Sequence, residues 1–199
     1  MKAWLLSAPA PVENNPLVFM DVDVPAPAEY EVLVRVSACG ICRTDLHVVE
    51  GELPPRKSPL VPGHQVVGVI ERLGANSGKY PAGSRVGIPW LHKTCGKCGY
   101  CTSGRENLCD APEFTGYTHD GGFAEYAVAH EDFVYPLPKG FTDLQAAPLL
   151  CAGIIGFRCL RVSGITAGGN LGIYGFGAAG HVCIQVARHW GTKVFVCTR

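Results

Sequence analysis

Four cysteines in the middle of the chain have the spacing of a metal site, C-x2-C-x2-C-x7-C. They are Cys95, Cys98, Cys101 and Cys109. Four thiolates form the closed tetrahedral set that a structural Zn²⁺ takes, whereas buried thiols or disulfides explain cysteines at two-residue gaps poorly. An iron–sulfur cluster is the open alternative, although Asp110 rather than proline follows the fourth cysteine. We therefore predict a structural zinc site.

Three further candidate ligands are spread along the chain: Cys42 in CGICRTDLH, His64 in PGHQ and Cys151 in PLLCAG. Taken alone, a histidine after Pro-Gly is most often a turn residue, and a cysteine in an apolar helix most often belongs to the core. Together the three residues offer two thiols and one imidazole. That is the ligand set of a catalytic zinc, whose fourth position stays open for water or substrate.

A third chemical motif is the glycine-rich turn GFGAAG, with Gly175, Gly177 and Gly180 in the G-x-G-x-x-G spacing. Glycines also mark ordinary turns, so the pattern alone is weak. Here it follows a predicted strand and opens a predicted helix, whose N-terminal N–H groups and dipole favour a pyrophosphate. The context predicts a dinucleotide-binding turn.

The elements that must position these residues change character along the chain. Five segments alternate between apolar and polar residues or are rich in β-branched ones, and they predict short strands around a compact barrel. These segments are residues 30–36, 66–73, 85–88, 123–128 and 133–137. After Pro138 the pattern predicts a helix over residues 142–150, a buried apolar helix over 148–157, and then strand 170–174, a helix and strand 193–197. One apolar helical stripe is formed by Cys183, Val186, Ala187 and Trp190, with Gly191 as its cap. A single βαβ unit cannot cover a parallel sheet, so we expect the second domain to be incomplete.

The motifs occur in the order seen in zinc-dependent alcohol dehydrogenases of the medium-chain family, and the resemblance covers essentially the whole chain. It implies an α/β protein. A GroES-like β-barrel catalytic domain is expected over residues 1–152, and residues 153–199 are expected to form the first part of a truncated Rossmann domain, a doubly wound parallel sheet. The resemblance also assigns Cys42, His64 and Cys151 to the catalytic zinc and leaves Cys39 as a non-ligand.

The same resemblance assigns roles to the neighbours of these ligands. Thr44 resembles the hydroxyl that hydrogen-bonds the alcohol, and His47 resembles the outer end of the proton relay. Asp45 resembles the carboxylate that orients the ligand histidine, and Arg43 a residue that pairs with cofactor phosphates; for Arg43 and His47 a solvated helix start is the alternative. Trp90 matches a wall of the substrate pocket.

Two further features of the sequence bear on the turnover rate and on the choice of cofactor. The family usually has glutamate after the ligand histidine, and this chain has Gln65; we expect that change to affect turnover more than metal binding. At the end of the second Rossmann strand, Thr198 and Arg199 stand where NAD-binding forms place an acidic residue. Arginine pairs with a 2′-phosphate, which predicts NADP as the cofactor, with NAD as the alternative.

The composition argues against a disordered, a nucleic-acid-binding or a membrane-spanning protein. With 199 residues, 47% of them hydrophobic and 17% charged, and a net charge of +0, the chain can bury a core and carries no basic surface for nucleic acid. It shows no secretory signal and no apolar run of membrane-spanning length. Ten cysteines then favour metal ligation in a reducing compartment, and we expect a cytoplasmic protein.

The predicted function is reversible hydride transfer between an alcohol and NAD(P), with two zinc ions per chain and, at full length, a homo-oligomer. The partners expected are a small alcohol or aldehyde and a nicotinamide dinucleotide, with no nucleic acid and no membrane. Two alternatives remain open: a non-catalytic zinc-binding module and another zinc-containing medium-chain reductase. The full set of ligand cysteines argues against a third, a zinc-free quinone or enoyl reductase of the same superfamily, because those members lack these cysteines. These 199 residues alone are expected to turn over poorly.

Overall fold

The computed structural model describes residues 1–198. They divide into two compact units, one of Met1–Ala147 and a second that begins at Pro148. Both contain helices and strands, so the predicted α/β class is confirmed.

The first unit consists mainly of short strands. In chain order its elements are β1 (Lys2–Leu6), β2 (Leu17–Asp21), β3 (Glu31–Gly40), α1 (Arg43–Glu50), β4 (Gln65–Leu73), β5 (Arg85–Ile88), β6 (Leu91–Lys93), β7 (Glu113–Phe114), β8 (Tyr126–His130), β9 (Tyr135–Pro136) and α2 (Asp143–Ala146). Single 3-10 turns lie at Val12–Asn14, Cys101–Ser103, Glu106–Leu108 and Glu131–Phe133, and a further one, Ala147–Leu150, begins at the last residue of this unit.

A five-stranded antiparallel sheet, in the order β8-β3-β4-β5-β9, is the centre of the first unit. Its buried face is rich in β-branched residues, which suit a pleated surface; the core contains Val32, Val34, Val66, Ile70, Val86 and Ile88. Two hairpins, β1-β2 and β6-β7, form separate two-stranded sheets. The first hairpin joins the rest of the unit through isolated bridges from Ala3 to Ala124 and from Leu6 to Leu60.

Two predicted elements of this unit are shorter in the structure. The strand predicted over 133–137 is reduced to β9, because a 3-10 turn occupies Glu131–Phe133. The helix predicted over 142–150 is α-helical only in α2 and continues as a 3-10 turn. Pro148 has no N–H to donate to an i−4 carbonyl, which explains why the α-helical pattern is lost there.

The second unit contains α3 (Ala152–Val162), β10 (Asn170–Tyr174), α4 (Ala178–His189) and β11 (Lys193–Cys197). The two strands pair in parallel, with Asn170 opposite Lys193 and Tyr174 opposite Cys197. The predicted stripe on α4 is confirmed, since Cys183, Val186, Ala187 and Trp190 share one cluster with Leu160 of α3. Gly191 has a φ of 73° and closes the helix, as expected of a C-terminal cap.

The apolar segment predicted as a buried helix over residues 148–157 differs from that expectation. Helix α3 begins at Ala152, and Ile154, Ile155 and Phe157 remain 45–50% exposed. The helix packs on α4 through the face that carries Gly156 and Leu160, and the Phe157 ring meets Trp190 edge-on at 6.0 Å, so the other apolar residues are only half-covered among residues 1–198.

Residues 1–198 include no single helix long and apolar enough to cross a membrane; one bent pair of segments, Asp143–Leu150 with Ala152–Val162, meets the length and composition criteria together.

Candidate functional site

The four predicted structural ligands come together in the loop between β6 and β7. All four Sγ atoms of Cys95, Cys98, Cys101 and Cys109 lie within 4.8 Å of one another. The Cys98 and Cys101 sulfurs are 3.5 Å apart, and the Cys95 and Cys101 sulfurs 4.0 Å. A tetrahedral zinc with bonds of about 2.3 Å separates its sulfurs by about 3.8 Å. The cluster therefore has the spacing that a bound zinc requires.

The loop also stabilises thiolates. The backbone N–H of Cys95 donates to the Cys109 sulfur at 3.3 Å, and that of Cys98 donates to the Cys95 sulfur at 3.4 Å. Hydrogen bonds from the backbone N–H groups of Asp110 and Cys101 lower the pKa of the Cys98 thiol to about 6. Thiolate is the form that binds metal, so the backbone favours the ligand state at Cys98. At Cys101, despite a hydrogen bond with Thr94, burial and the neighbouring Cys98 and Cys109 thiols raise the pKa to about 11.

Cys42 and His64, two of the three predicted catalytic ligands, meet in the first unit. The Cys42 Sγ lies 3.3 Å from the Nε2 of His64, and the imidazole is 1% exposed. A tetrahedral zinc holding one sulfur and one imidazole nitrogen separates the two atoms by about 3.6 Å. The pair thus points its donor atoms at a common position.

Asp45 fixes both of these residues. Its Oδ1 lies 2.8 Å from the Nδ1 of His64, and its Oδ2 accepts the backbone N–H of Cys42 at 2.8 Å. Because a carboxylate only accepts hydrogen bonds, the proton of His64 lies on Nδ1. The lone pair of Nε2 then faces the candidate site. Asp45 can do this because it is the third residue of α1, which Cys42 caps in a capping box.

The other polar residues predicted for the site lie on the same short helix. Thr44 is half-buried and its backbone N–H donates to the Cys42 sulfur at 3.3 Å. His47 and Arg43 lie on the more exposed side, where the carboxylate of Glu52 is within 2.5 Å of the His47 Nδ1 and 4.0 Å of the Arg43 Nη2. Glu52 carries no motif, and sequence reasoning did not single it out.

Trp90 lies directly against the candidate metal site. Its ring meets the His64 ring edge-on, with centroids 5.1 Å apart. It also stacks on Phe114 at 4.8 Å and on Tyr117 at 5.9 Å. These two rings were not predicted; Tyr117 lies within the quoted segment GYTHDGGFAEYA, which was the available signal.

Gln65 and Cys39 flank the ligands. Gln65 is 2% exposed at the start of β4, and a Cβ on Gly40 opposite it would come within 3.2 Å of its side chain. Burial raises the pKa of the Cys39 thiol to about 12, so this thiol is protonated at neutral pH. A protonated thiol agrees with its expected place outside the ligand set.

The remaining predicted residues belong to the second unit. Cys151 directly precedes α3. The glycine turn joins β10 to α4, with Gly175 at a φ of 83° and Gly177 as the residue before the helix. A Cβ on Gly177 would meet nothing within 4 Å, whereas one on Gly180 would lie 3.3 Å from the Gly175 oxygen. Open space at the turn and close packing at the helix suit a pyrophosphate cradle.

The two residues used to predict cofactor choice follow β11. Thr198 is exposed, and Arg199 lies outside the described residues.

Comparison with known proteins places the chain in a family. The protein-family model described as "Alcohol dehydrogenase GroES-like domain" matches residues 28–139, more than half of the chain. The chain belongs to the alcohol dehydrogenase family. Its predicted GroES-like domain is thereby confirmed as a domain type.

Individual relatives agree with this assignment. A probable alcohol dehydrogenase, AdhA, of Mycobacterium tuberculosis is 47% identical over 204 residues, which cover 100% of this chain and 59% of that protein. A cobalt- and zinc-bound thermostable alcohol dehydrogenase from Pyrobaculum aerophilum superposes with a TM-score of 0.91 at 26% identity, covering 100% of this chain and 60% of that one. A Helicobacter pylori enzyme named CAD, complexed with NADP(H), gives 0.88 at 28% identity, with 100% and 58% covered. The chain thus spans between half and two thirds of each relative's length.

Proposed function

We propose that the whole protein is a zinc-dependent alcohol dehydrogenase that transfers hydride reversibly between an alcohol and a nicotinamide dinucleotide. The observation that carries the proposal is the convergence of the Cys42 sulfur and the His64 Nε2, 3.3 Å apart, in a family of alcohol dehydrogenases. An imidazole buried to 1% exposure, with its other nitrogen held by Asp45, has the orientation of a metal ligand.

Cys151 is proposed as the third ligand of this zinc. The donor set of Cys42, His64 and Cys151 consists of two thiols and one imidazole. That set leaves one coordination position for substrate, in contrast to the closed four-thiol set of the loop. We therefore propose two zinc ions per chain with different roles, one catalytic and one structural.

When bound, the catalytic zinc supplies Lewis acidity that lowers the pKa of an alcohol, and the nicotinamide supplies the hydride acceptor. Residues of the chain transfer the proton of the alcohol. Thr44 offers a hydroxyl one helical turn from His47, and the imidazole of His47 is 32% exposed. We propose that the alcohol proton passes to the Thr44 hydroxyl and, through the relay, to the Nε2 of His47 and then to solvent.

The aromatic cluster around Trp90 is proposed to limit the size of the alcohol. Trp90, Phe114 and Tyr117 stack together with centroid distances of 4.8–6.4 Å. Displacing one of these rings to admit a bulky substrate would break its contacts with the other two. We propose a pocket for a modest alcohol or aldehyde, with Trp90 as its wall.

Gln65 is proposed to slow turnover without weakening metal binding. It is buried beside the ligand His64 and keeps a carbonyl acceptor, but it lacks the charge of the glutamate usual in the family. Gln65→Glu is expected to change kcat while the zinc content stays constant.

The glycine turn is proposed to hold the pyrophosphate of the cofactor at the start of α4, and Arg43 to pair with its phosphates. NADP is proposed over NAD, because Thr198 and Arg199 provide no carboxylate to bind ribose hydroxyls and arginine can pair with a 2′-phosphate. Equal catalytic efficiency of the whole protein with NAD⁺ and NADP⁺ would contradict this preference.

Metal analysis combined with an alcohol-dependent NAD(P)⁺ reduction assay tests the proposal. The whole protein should contain about two zinc ions per chain and reduce the cofactor. Cys42→Ser and His64→Ala should abolish reduction and remove one zinc, whereas Cys159→Ser, at an exposed cysteine, should change neither. Two zinc ions without reduction would favour a non-catalytic zinc module, and an iron–sulfur absorption spectrum would overturn the metal assignment.

A further inference from the structure

Glu52 lies just beyond α1 and contacts both basic side chains on the exposed side of that helix. Its Oε2 is 2.5 Å from the Nδ1 of His47, and its Oε1 is 4.0 Å from the Nη2 of Arg43. One carboxylate therefore lies beside the two residues proposed to move the proton and to bind the cofactor phosphates.

The backbone builds this arrangement. Gly51 ends α1 with a φ of 80°, a conformation that glycine adopts without strain, and a Cβ there would come within 2.9 Å of the Pro9 side chain. The N–H of Gly51 bonds to the Val48 oxygen, and the N–H of Leu53 bonds back to the His47 oxygen at 3.2 Å. The turn brings Glu52 back alongside the helix, so its position does not depend on side-chain rotation alone.

The Nδ1 of His47 has no other partner among residues 1–198. It is shielded from solvent and makes no hydrogen bond of good geometry, although the Glu52 carboxylate is at ion-pair distance. A carboxylate cannot donate a proton, so its charge at this distance favours a proton on the nitrogen that faces it. The neutral ring then has its lone pair on Nε2, the atom that must accept a proton in the relay.

We infer that Glu52 is a positioning residue that fixes the Nδ1–H tautomer of His47 and, through the same carboxylate, competes with the cofactor phosphates for Arg43. The inference rests on the proposed function. In the relay the proton enters at Nε2, the imidazolium is then paired with Glu52, and the proton leaves from Nε2 to solvent. Removing Glu52 therefore slows proton transfer and frees Arg43.

The two effects lower both kinetic constants, one to the cost of turnover and the other to the benefit of cofactor binding. In the whole protein, Glu52→Ala should lower kcat for alcohol oxidation roughly 10-fold, less than the roughly 10²–10⁴-fold that a general acid–base group itself contributes, because His47 remains in place. The KM for the dinucleotide should fall at the same time. A purely structural defect of α1 would worsen both constants, and that outcome, or an unchanged kcat, would overturn the inference.

Nitrogen-15 NMR of the His47 ring gives a measurement independent of activity. The wild-type ring should show protonated Nδ1, Glu52→Ala should show a mixture of tautomers, and Glu52→Gln, which keeps an acceptor oxygen, should restore the Nδ1–H form. Glu50→Ala is the matched control, because Glu50 lies two residues away and bonds to the N–H of Val12 instead. An unchanged tautomer in Glu52→Ala would refute the inference. A wild-type protein without alcohol-dependent reduction would refute the proposed function, and the ring measurement would then decide alone whether Glu52 fixes His47.

Discussion

The carboxylate of Asp45 is bonded to the imidazole of His64, with 2.8 Å between Oδ1 and Nδ1 and both side chains almost completely buried. The two residues are far apart in the chain, and the bond connects helix α1 to the start of β4. It also leaves the His64 Nε2 as the atom available to a metal ion.

Replacing Asp45 should therefore weaken the catalytic metal site. Asp45→Asn removes the charge and one acceptor of the pair, and substitutions around metal-bound imidazoles typically cost roughly 10- to 100-fold in metal affinity. Zinc titration against a competing chelator measures the change. Asp132→Asn, at an exposed carboxylate paired with Lys79, is the control. Unaltered zinc affinity in Asp45→Asn would show that the bond does not orient the ligand.

The loss of one loop cysteine should remove the zinc ion proposed for that loop. Cys109→Ser deletes a buried thiolate that also accepts the N–H groups of Cys95 and Ala111. The zinc content should fall by about one ion per chain, since three thiolates no longer close the tetrahedron, and the melting temperature should fall with it. Cys159→Ser should retain the full content. Wild-type zinc content in Cys109→Ser would contradict the assignment.

Acid should destabilise the fold through His92. Burial, together with the neighbouring His119, lowers the pKa of His92 from the usual 6.5 of a histidine to about 3. Between pH 3 and 6.5, His92 is protonated in the unfolded chain but not in the folded chain. The free energy of unfolding therefore falls as the pH drops below 6.5. The slope is at most about 1.4 kcal/mol per pH unit.

Urea unfolding at several pH values below 6.5 measures that dependence. His92→Gln should reduce the slope, and His189→Gln, the same change at an exposed histidine, should not. Identical slopes for the two variants would assign the acid sensitivity to other groups.

Trp90 should control the size of alcohol that the whole protein accepts. Trp90→Ala removes the ring that stacks on Phe114 and Tyr117, which opens space beside His64. The ratio of kcat/KM for a bulky over a small alcohol should rise roughly 10-fold or more, the usual effect of pocket size on specificity. Trp4→Ala, at a 45% exposed tryptophan, should leave the ratio unchanged. An unchanged ratio in Trp90→Ala would place the pocket elsewhere.

The glycine turn allows a comparison within one motif. Gly175→Ala forces a side chain into a φ of 83° and should destabilise the second unit by about 1 kcal/mol. Gly177→Ala has open space and no positive φ, so the fold should tolerate it while dinucleotide binding weakens. Thermal unfolding and dinucleotide titration distinguish the two variants; equal stability losses would contradict the strain argument.

The bounds of secondary-structure elements were predicted best where a single residue pattern extends over the whole element. Strands β5, β10 and β11 have the predicted bounds, because each is a short alternating or β-branched run between turn residues. Strand β8 begins at Tyr126 rather than residue 123, since the backbone of Phe123 bonds instead to Pro62 and Trp4. Such pairings depend on residues far along the chain, which local patterns do not encode.

The same distinction applies to the candidate site. Cysteine spacing indicated the four-thiol loop, and the structure brings those sulfurs together as predicted. Glu52, Phe114 and Tyr117 were missed, because their proximity to His47 and Trp90 results from a left-handed turn and from ring packing. Neither has a fixed residue pattern in one sequence.

Cys42 is at once a candidate metal ligand and the residue whose sulfur caps α1, where it accepts the Thr44 N–H while Asp45 holds its own N–H. The sulfur proposed to bind an ion is thus also the sulfur that caps the first turn of the helix. If it does bind the ion, metal binding and the ordering of that turn are one cooperative event, and the hydrogen-exchange rates of the first amides of α1 should report occupancy of the site.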